Sequence, residues 1–318
     1  MSVFRPWAFQ GSLSRRKYFE GWYFKHVSAD REQVWSFIPG ISLSNEGRQA
    51  FIQVLNGRTG ESQIYEYKPG SFSASGKELN IQIGKSKFTK EGISLELQNT
   101  SRRISGDIRY TAMEQYPSTV INPGIMGWYS FVPFMECKHG VVSMFHSLEG
   151  ELHIDETYVD FTGGAGYIEK DWGSSFPESW IWLHCNTFDT TQSSFTFSVA
   201  KIPWLGSYFI GFISFLNIEG RFINLSTWSK ATIEKLEYFD KTLRIRIVNK
   251  EYVLDVKALN HQAGPLKAPV QGSMSRTIKE TVDATVYLKL SNQSGKTLFQ
   301  DQGKRAGMEL IEKILSYF

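Results

Sequence analysis

Gly163-Gly164-Ala165-Gly166-Tyr167-Ile168-Glu169-Lys170-Asp171-Trp172-Gly173, then Ser174-Ser175-Phe176-Pro177-Glu178, then Ser179-Trp180-Ile181-Trp182-Leu183-His184-Cys185-Asn186-Thr187-Phe188, is the most informative stretch of this chain. A glycine cluster opens it. Two short strand-like runs follow, separated by a Ser/Pro/Gly turn. Side chains alternate across a strand, so Tyr167, Glu169 and Asp171 share one face of the first run. Trp180, Trp182, His184 and Asn186 share one face of the second. The pattern predicts that two acids, two indoles, an imidazole and an amide converge.

Strand-like runs continue outward on both sides. On the N-terminal side, the segment Tyr18-Phe19-Glu20-Gly21-Trp22-Tyr23-Phe24-Lys25-His26-Val27 puts Glu20 and Trp22 on one aromatic face. Runs at 34–41, 50–55, 64–67, 79–83, 93–97 and 104–110 follow at the spacing of an antiparallel sandwich or barrel. Past Phe188, runs at 194–202, 208–218, 222–228, 231–238, 242–248 and 251–258 repeat the rhythm, and 277–278 and 284–290 close it. Pro and Gly predict long loops over 111–128 and 261–275. From Gly303 the positions Met308, Ile311, Leu315 and Phe318 carry helical spacing and predict a terminal amphipathic helix. The expected fold is all-β: two antiparallel units, 1–155 and 156–318, each of a size suited to a lipocalin-like barrel, with a C-terminal helix.

The 318 residues carry a net charge of +3, and no long basic run stands out, which argues against nucleic acid. Aromatics make up 14% of the chain, in keeping with abundant strand. Cys137 and Cys185 form no disulfide framework, so a reducing compartment is the simpler expectation. The N-terminus lacks the pattern of a signal peptide, and the most apolar segment, 205–218, is too short for a helical span. A cytoplasmic protein is expected, and peripheral contact with a membrane surface stays compatible with the sequence. No phosphate-binding glycine loop and no G-x-S-x-G elbow is found. His184-Cys185 and Cys137-Lys138-His139 lack tetrahedral metal spacing, so no metal is expected.

Tyr18 to Lys25, Gly127-Trp128-Tyr129-Ser130-Phe131-Val132-Pro133-Phe134-Met135-Glu136-Cys137-Lys138-His139-Gly140-Val141, and Gly166 to Gly173 with Ser175-Phe176-Pro177 resemble the tocopherol cyclase family. Trp180-Ile181-Trp182, Ile202-Pro203-Trp204-Leu205-Gly206 and Gly264-Pro265-Leu266-Lys267-Ala268-Pro269 extend the resemblance over nearly the whole chain. More distantly, the pattern is similar to the carotenoid hydratases, a pair of lipocalin-like domains. The resemblance implies closure of a chromanol ring: a phenol oxygen of a prenylated hydroquinone adds to the nearest double bond of the isoprenoid tail. It implies no redox cofactor, and no protein partner is evident. A non-catalytic carrier of an apolar ligand and a hydratase of isoprenoid double bonds are the alternatives.

Such a reaction needs a proton donor, stabilisation of a tertiary cation and a dry pocket. A carboxylic acid in apolar surroundings keeps its proton, because burial disfavours the anion. Trp faces stabilise a cation by about 1–2 kcal/mol each away from water. Asp171 and Glu169 are the candidate acids, and spacing does not separate them. His184 is a candidate base, with Asn186 beside it to orient the phenol. Trp180 and Trp182 would wall the pocket. Tyr167, Glu20, Trp22 and Glu136 complete the candidate substrate-binding set. The plainer reading makes Glu169-Lys170-Asp171 a solvated face and the Trp residues core.

Overall fold

The computed structural model describes residues 3–318, and within them the chain is built on strands. The first sheet comprises β1 (Tyr18–Val27), β2 (Val34–Leu43), β3 (Arg48–Asn56), β4 (Ser62–Tyr67), β5 (Phe72–Ala74), β6 (Asn80–Ile83), β7 (Ser86–Thr89), β8 (Gly92–Gln98), β9 (Arg103–Glu114), β10 (Cys137–Ile154), β11 (Thr157–Asp160) and β12 (Ala165–Gly173). The second comprises β13 (Trp180–Cys185), β14 (Ser193–Trp204), β15 (Ser207–Ile218), β16 (Arg221–Asn224), β17 (Thr232–Phe239), β18 (Thr242–Val248), β19 (Tyr252–Leu259), β20 (Gly264–Val270), β21 (Ser273–Asn292) and β22 (Thr297–Leu310). The first sheet runs in the order β4-β3-β2-β1-β12-β10-β9-β8-β7-β6-β5, with β11 on β10. Its last strand, β12, is thus inserted between β1 and β10. The second runs β16-β15-β14-β13-β22-β21-β19-β18-β17, with β20 on β21.

Each sheet has its own apolar core, in keeping with two antiparallel barrel-like units. Strands such as β8 and β18 alternate buried and exposed positions, one face on the core and one in water. β1 and β13 are different: nearly every residue is buried on both faces. These are strands where polar side chains can be held away from water on the face that does not meet the core.

Contacts divide the chain between Phe176 and Pro177, not near residue 155. The reason is β12, which pairs with both β1 and β10 and so belongs to the first unit. The hairpin Leu266–Thr277 also belongs to the first unit, where Ser42 Oγ donates to the Gly272 carbonyl at 2.6 Å and Gln53 brackets Lys267. Gly272 has φ +80, and an added Cβ would lie 2.3 Å from the Leu43 carbonyl oxygen, so only glycine fits that tip.

Two expected elements differ. The segment 261–275 is not one long loop, since β20 and the start of β21 lie in it. Pro265 and Pro269 are tolerated because β20 pairs only with β21 and loses no second ladder. The terminal helix is confined to a single 3-10 stretch, Glu312–Tyr317, while Gly303 to Leu310 continue β22. Of the helically spaced positions only Met308 lies in β22, and Ile311, Leu315 and Phe318 fall in or beside the 3-10 stretch, so the spacing runs across the junction between strand and 3-10 turn.

The first core also encloses a polar group. His26 Nε2 lies 2.6 Å from the Tyr110 hydroxyl, and Ser143 Oγ lies 2.8 Å from His146 Nδ1. The Tyr110 and His146 rings are 4.2 Å apart between centroids. All four side chains are buried. Burial pulls the His26 pKa down to about 3 and His146 well below its usual value, with His26 adding to the latter, so both imidazoles are neutral.

Candidate active site

β12 turns two chemically rich faces in opposite directions. Ile168, Lys170 and Trp172 point to the first core, while Tyr167, Glu169 and Asp171 lie on the other face. The core-side face holds an ion pair, Lys170 Nζ to Glu20 Oε1 at 2.5 Å, with neither side chain exposed. Glu20 also accepts from the Gln10 amide at 2.9 Å, the Gly11 amide at 3.0 Å and the Tyr18 hydroxyl. Lys170 donates to the Ala8 carbonyl and sits over the Trp22 and Trp172 rings at 4.8 and 4.7 Å. Burial pulls the Lys170 pKa down to about 8, although Glu20 and Asp171 oppose the shift. Burial and the Glu20 carboxylate push Tyr18 far up, so it stays a donor. Glu20 and Trp22 are therefore engaged with Lys170, on the face opposite to Glu169 and Asp171.

The other face carries the arrangement with chemistry in it. The β10–β12 register sets His139 directly opposite Asp171. His139 Nδ1 is 2.9 Å from Asp171 Oδ1, and Nε2 is 3.5 Å from Glu169 Oε2. Tyr167 donates to Glu169 Oε2 at 2.6 Å. The four side chains form a line: phenol, carboxylate, imidazole, carboxylate. Glu169 is nearly closed off, with 7% of its side chain exposed, whereas Asp171 keeps 25%. Cys137 Sγ lies 3.8 Å from Asp171 Oδ1. On the β1 side, Gly21 faces Asp171, and a Cβ built there meets only Ile38 and the Pro39 carbonyl, both at 3.9 Å. The missing side chain leaves room beside the more exposed acid.

An imidazole between two carboxylates can take a proton on one nitrogen while holding another on the other. If Nδ1–H donates to Asp171, Nε2 faces the Glu169 carboxylate at 3.5 Å, an ion-pair distance. An arrangement of this kind can give a proton and take it back. The same three residues bring ligand atoms within 4.8 Å of one another, so they could also hold a divalent cation.

In the second unit, β13 carries the other predicted set. Ile181, Leu183 and Cys185 enter its core, and Trp180, Trp182, His184 and Asn186 lie off it yet buried. Trp180 Nε1 donates to Glu309 Oε2 at 2.6 Å, and Trp182 stacks on His184 with ring planes 22° apart. Glu309, on β22, is opposite Trp182 on β13 and Glu280 on β21. Glu136, just before β10, supplies its carbonyl to the Ser174 and Ser175 amides at 2.8 and 3.3 Å.

The structure thus brings Tyr167, Glu169 and Asp171 together in one unit and Trp180, Trp182, His184 and Asn186 in the other. The reading from sequence missed His139 as a partner of the acids, because strand alternation says nothing about the neighbouring strand's register. It missed Glu309 because that segment carried a helical pattern.

Fold and cluster define an all-β protein of two antiparallel units with a largely enclosed carboxylate–imidazole group of a kind that can exchange protons. The chain belongs to the tocopherol cyclase-like family, whose model matches residues 98–311. It is 23% identical over 331 residues to the chloroplastic tocopherol cyclase of Zea mays, covering 86% of this chain and 69% of that protein. Among solved structures, it is similar to CghA with Sch210972, with a TM-score of 0.55, 12% identity, and coverage of 93% of this chain and 89% of that one. It is similar also to kievitone hydratase from Nectria haematococca, with a TM-score of 0.51, 11% identity, and coverage of 92% and 88%. These two likenesses are of fold. Among the described residues, no helix is long and apolar enough to cross a membrane.

Proposed function

We propose that this chain closes a chromanol ring on a prenylated hydroquinone by acid–base catalysis through Glu169, His139 and Asp171. The observation that carries the reading is the line Tyr167–Glu169–His139–Asp171, buried at its Tyr167–Glu169 end and half-buried at His139 and Asp171. A proton from the Glu169–His139 pair goes to the less substituted carbon of the prenyl double bond. The phenol oxygen bonds to the tertiary carbon that becomes electron-poor, and its proton returns to the cluster. Substrate and product are isomers, so no oxidant or reductant is consumed. Asp171 holds Nδ1 and so orients the ring, as a carboxylate beside a working imidazole does.

The test is incubation with a prenylated hydroquinone, with chromatography for the chromanol, with and without a chelator. Activity that survives the chelator supports proton chemistry, and activity lost to it and restored by one cation assigns the three donors to a metal. Recovery of unchanged starting compound, alongside tight binding read from Trp fluorescence, would leave a carrier instead.

A second reading is a hydratase, supported by the fold likeness to kievitone hydratase. The same proton donor would serve, with water in place of the phenol oxygen. A product heavier by one water distinguishes it.

A further inference from the structure

The first unit presents an aromatic and basic rim whose composition fits a lipid bilayer. β1 and β10 both flank β12 in antiparallel register, and Phe19 and Cys137 both face Gly173. The two strands therefore start at the same end, about 10 Å apart at ordinary strand spacing. The segments that precede them leave the sheet together. Pro6 lies against Gly140, where an added Cβ would come within 2.5 Å of it, and Phe4 meets Phe131 edge-on at 6.2 Å. The 3-10 helix Gly127–Phe131 stacks Trp128 on Tyr129 at 4.0 Å.

Large apolar side chains are left in water here. Phe4, Trp128, Phe131 and Phe134 are each 44–50% exposed, and Leu13, just before the basic run Arg15-Arg16-Lys17, is exposed as well. Single exposed apolar residues are ordinary, but several gathered on adjoining segments mark an interaction surface. Trp, Tyr and Phe are the side chains that settle at the membrane–water boundary. The charge of the same segments is one-sided. Residues 3–17 and 126–136 contain Arg5, Arg15, Arg16 and Lys17, all exposed, against a single acid, Glu136.

We infer that this rim docks the protein on an anionic phospholipid surface, with Phe131, Phe134 and Trp128 entering the interface and Arg15, Arg16 and Lys17 on the headgroups. Apolar insertion and headgroup attraction together give the two signals that stable peripheral attachment needs. The inference stands on these segments alone and not on the proton chemistry of Glu169.

The full chain is sedimented with phosphatidylcholine vesicles, with and without phosphatidylglycerol, at low and high salt. Binding is expected to the anionic vesicles and to weaken with salt. Arg15→Gln, Arg16→Gln and Lys17→Gln together should reduce it about a hundredfold, at about fivefold per cation. Phe131→Ser with Phe134→Ser should reduce it by at least about tenfold. Phe239→Ser, at an 83% exposed position on a hairpin of the second unit, should leave it unchanged. Brominated lipid should quench wild-type Trp fluorescence, less so in Trp128→Phe, a readout independent of whether the paired variants fold. Equal partition to neutral and anionic vesicles, or none to either, overturns the inference. So does a concentration-dependent dimer that Phe131→Ser abolishes in a protein that ignores vesicles, which would give the rim to a second copy of the chain.

Discussion

The two faces of β12 hold similar residues in different surroundings. On the core side, Glu20 and Lys170 are sealed together, and the carboxylate is met by a lysine, a phenol and two backbone amides. On the opposite side, Glu169 and Asp171 are met by a phenol and one imidazole that both acids share. The Glu20 carboxylate oxygens are taken up by these donors inside a closed core, with no side-chain surface left exposed. A carboxylate whose partner is an imidazole can exchange a proton. Type of residue does not separate structure from chemistry here; the set of donors around each acid does.

The sharpest way to break the comparison is to neutralise one acid on each face. Glu169→Gln is expected to lower turnover by about 10²–10⁴ while leaving the denaturation midpoint nearly unchanged. Chromanol formation and urea unfolding on the same preparation check it. Glu20→Gln should do the reverse. Leaving Lys170 buried without its anion should destabilise the fold by about 3–5 kcal/mol, with activity per folded molecule retained. If Glu20→Gln abolishes turnover in a fully folded protein, the two faces are not divided as described.

A smaller effect is expected from Gly21. Gly21→Leu should fold, since there is room for a Cβ, yet fill the space beside Asp171 and reduce kcat/KM by about 10–100-fold through misplacement of substrate. A comparable loss of stability would mean that the space is needed for packing and not for substrate.

An effect on stability alone concerns the neutral imidazoles inside the first core. Their folded pKa values lie below the ordinary His value of 6.5, with His26 at about 3. Below pH 6.5 the unfolded chain takes up protons that the folded chain refuses, so stability falls as pH falls through that window. Each group contributes up to about 1.4 kcal/mol per pH unit between its two pKa values. Thermal melts between pH 7 and pH 4 should show this slope, and His26→Gln should flatten it. An unchanged slope in that variant would place the acid sensitivity elsewhere.

Much of this was legible in the sequence, for identifiable reasons. Alternation put Tyr167, Glu169 and Asp171 on one face, and two-residue spacing marked β8, β18 and β19 as half-buried strands. It also put Trp180, Trp182 and His184 on one face of β13, with Asn186 just past its end, and none of them belongs to the apolar core. Strand pairing was not legible. That β12 returns between β1 and β10 depends on contacts distant in sequence, and with it went the unit boundary and the partnership of His139 with the acids. β20 read as loop because Pro265 and Pro269 are barred from inner strands but not from one paired along a single ladder. Glu309 was not legible as a strand residue facing Trp182 because the helical spacing Met308, Ile311, Leu315, Phe318 runs from the end of β22 into the 3-10 stretch.

The most direct test of proton transfer by the Glu169–His139–Asp171 cluster is cyclisation of a prenylated hydroquinone in deuterated water, followed by mass and NMR analysis of the chromanol. The wild-type protein should place one deuterium on the ring carbon that was the less substituted alkene carbon, and Glu169→Gln should yield almost no product. A chromanol formed without solvent deuterium, or formed equally well by Glu169→Gln, would contradict it.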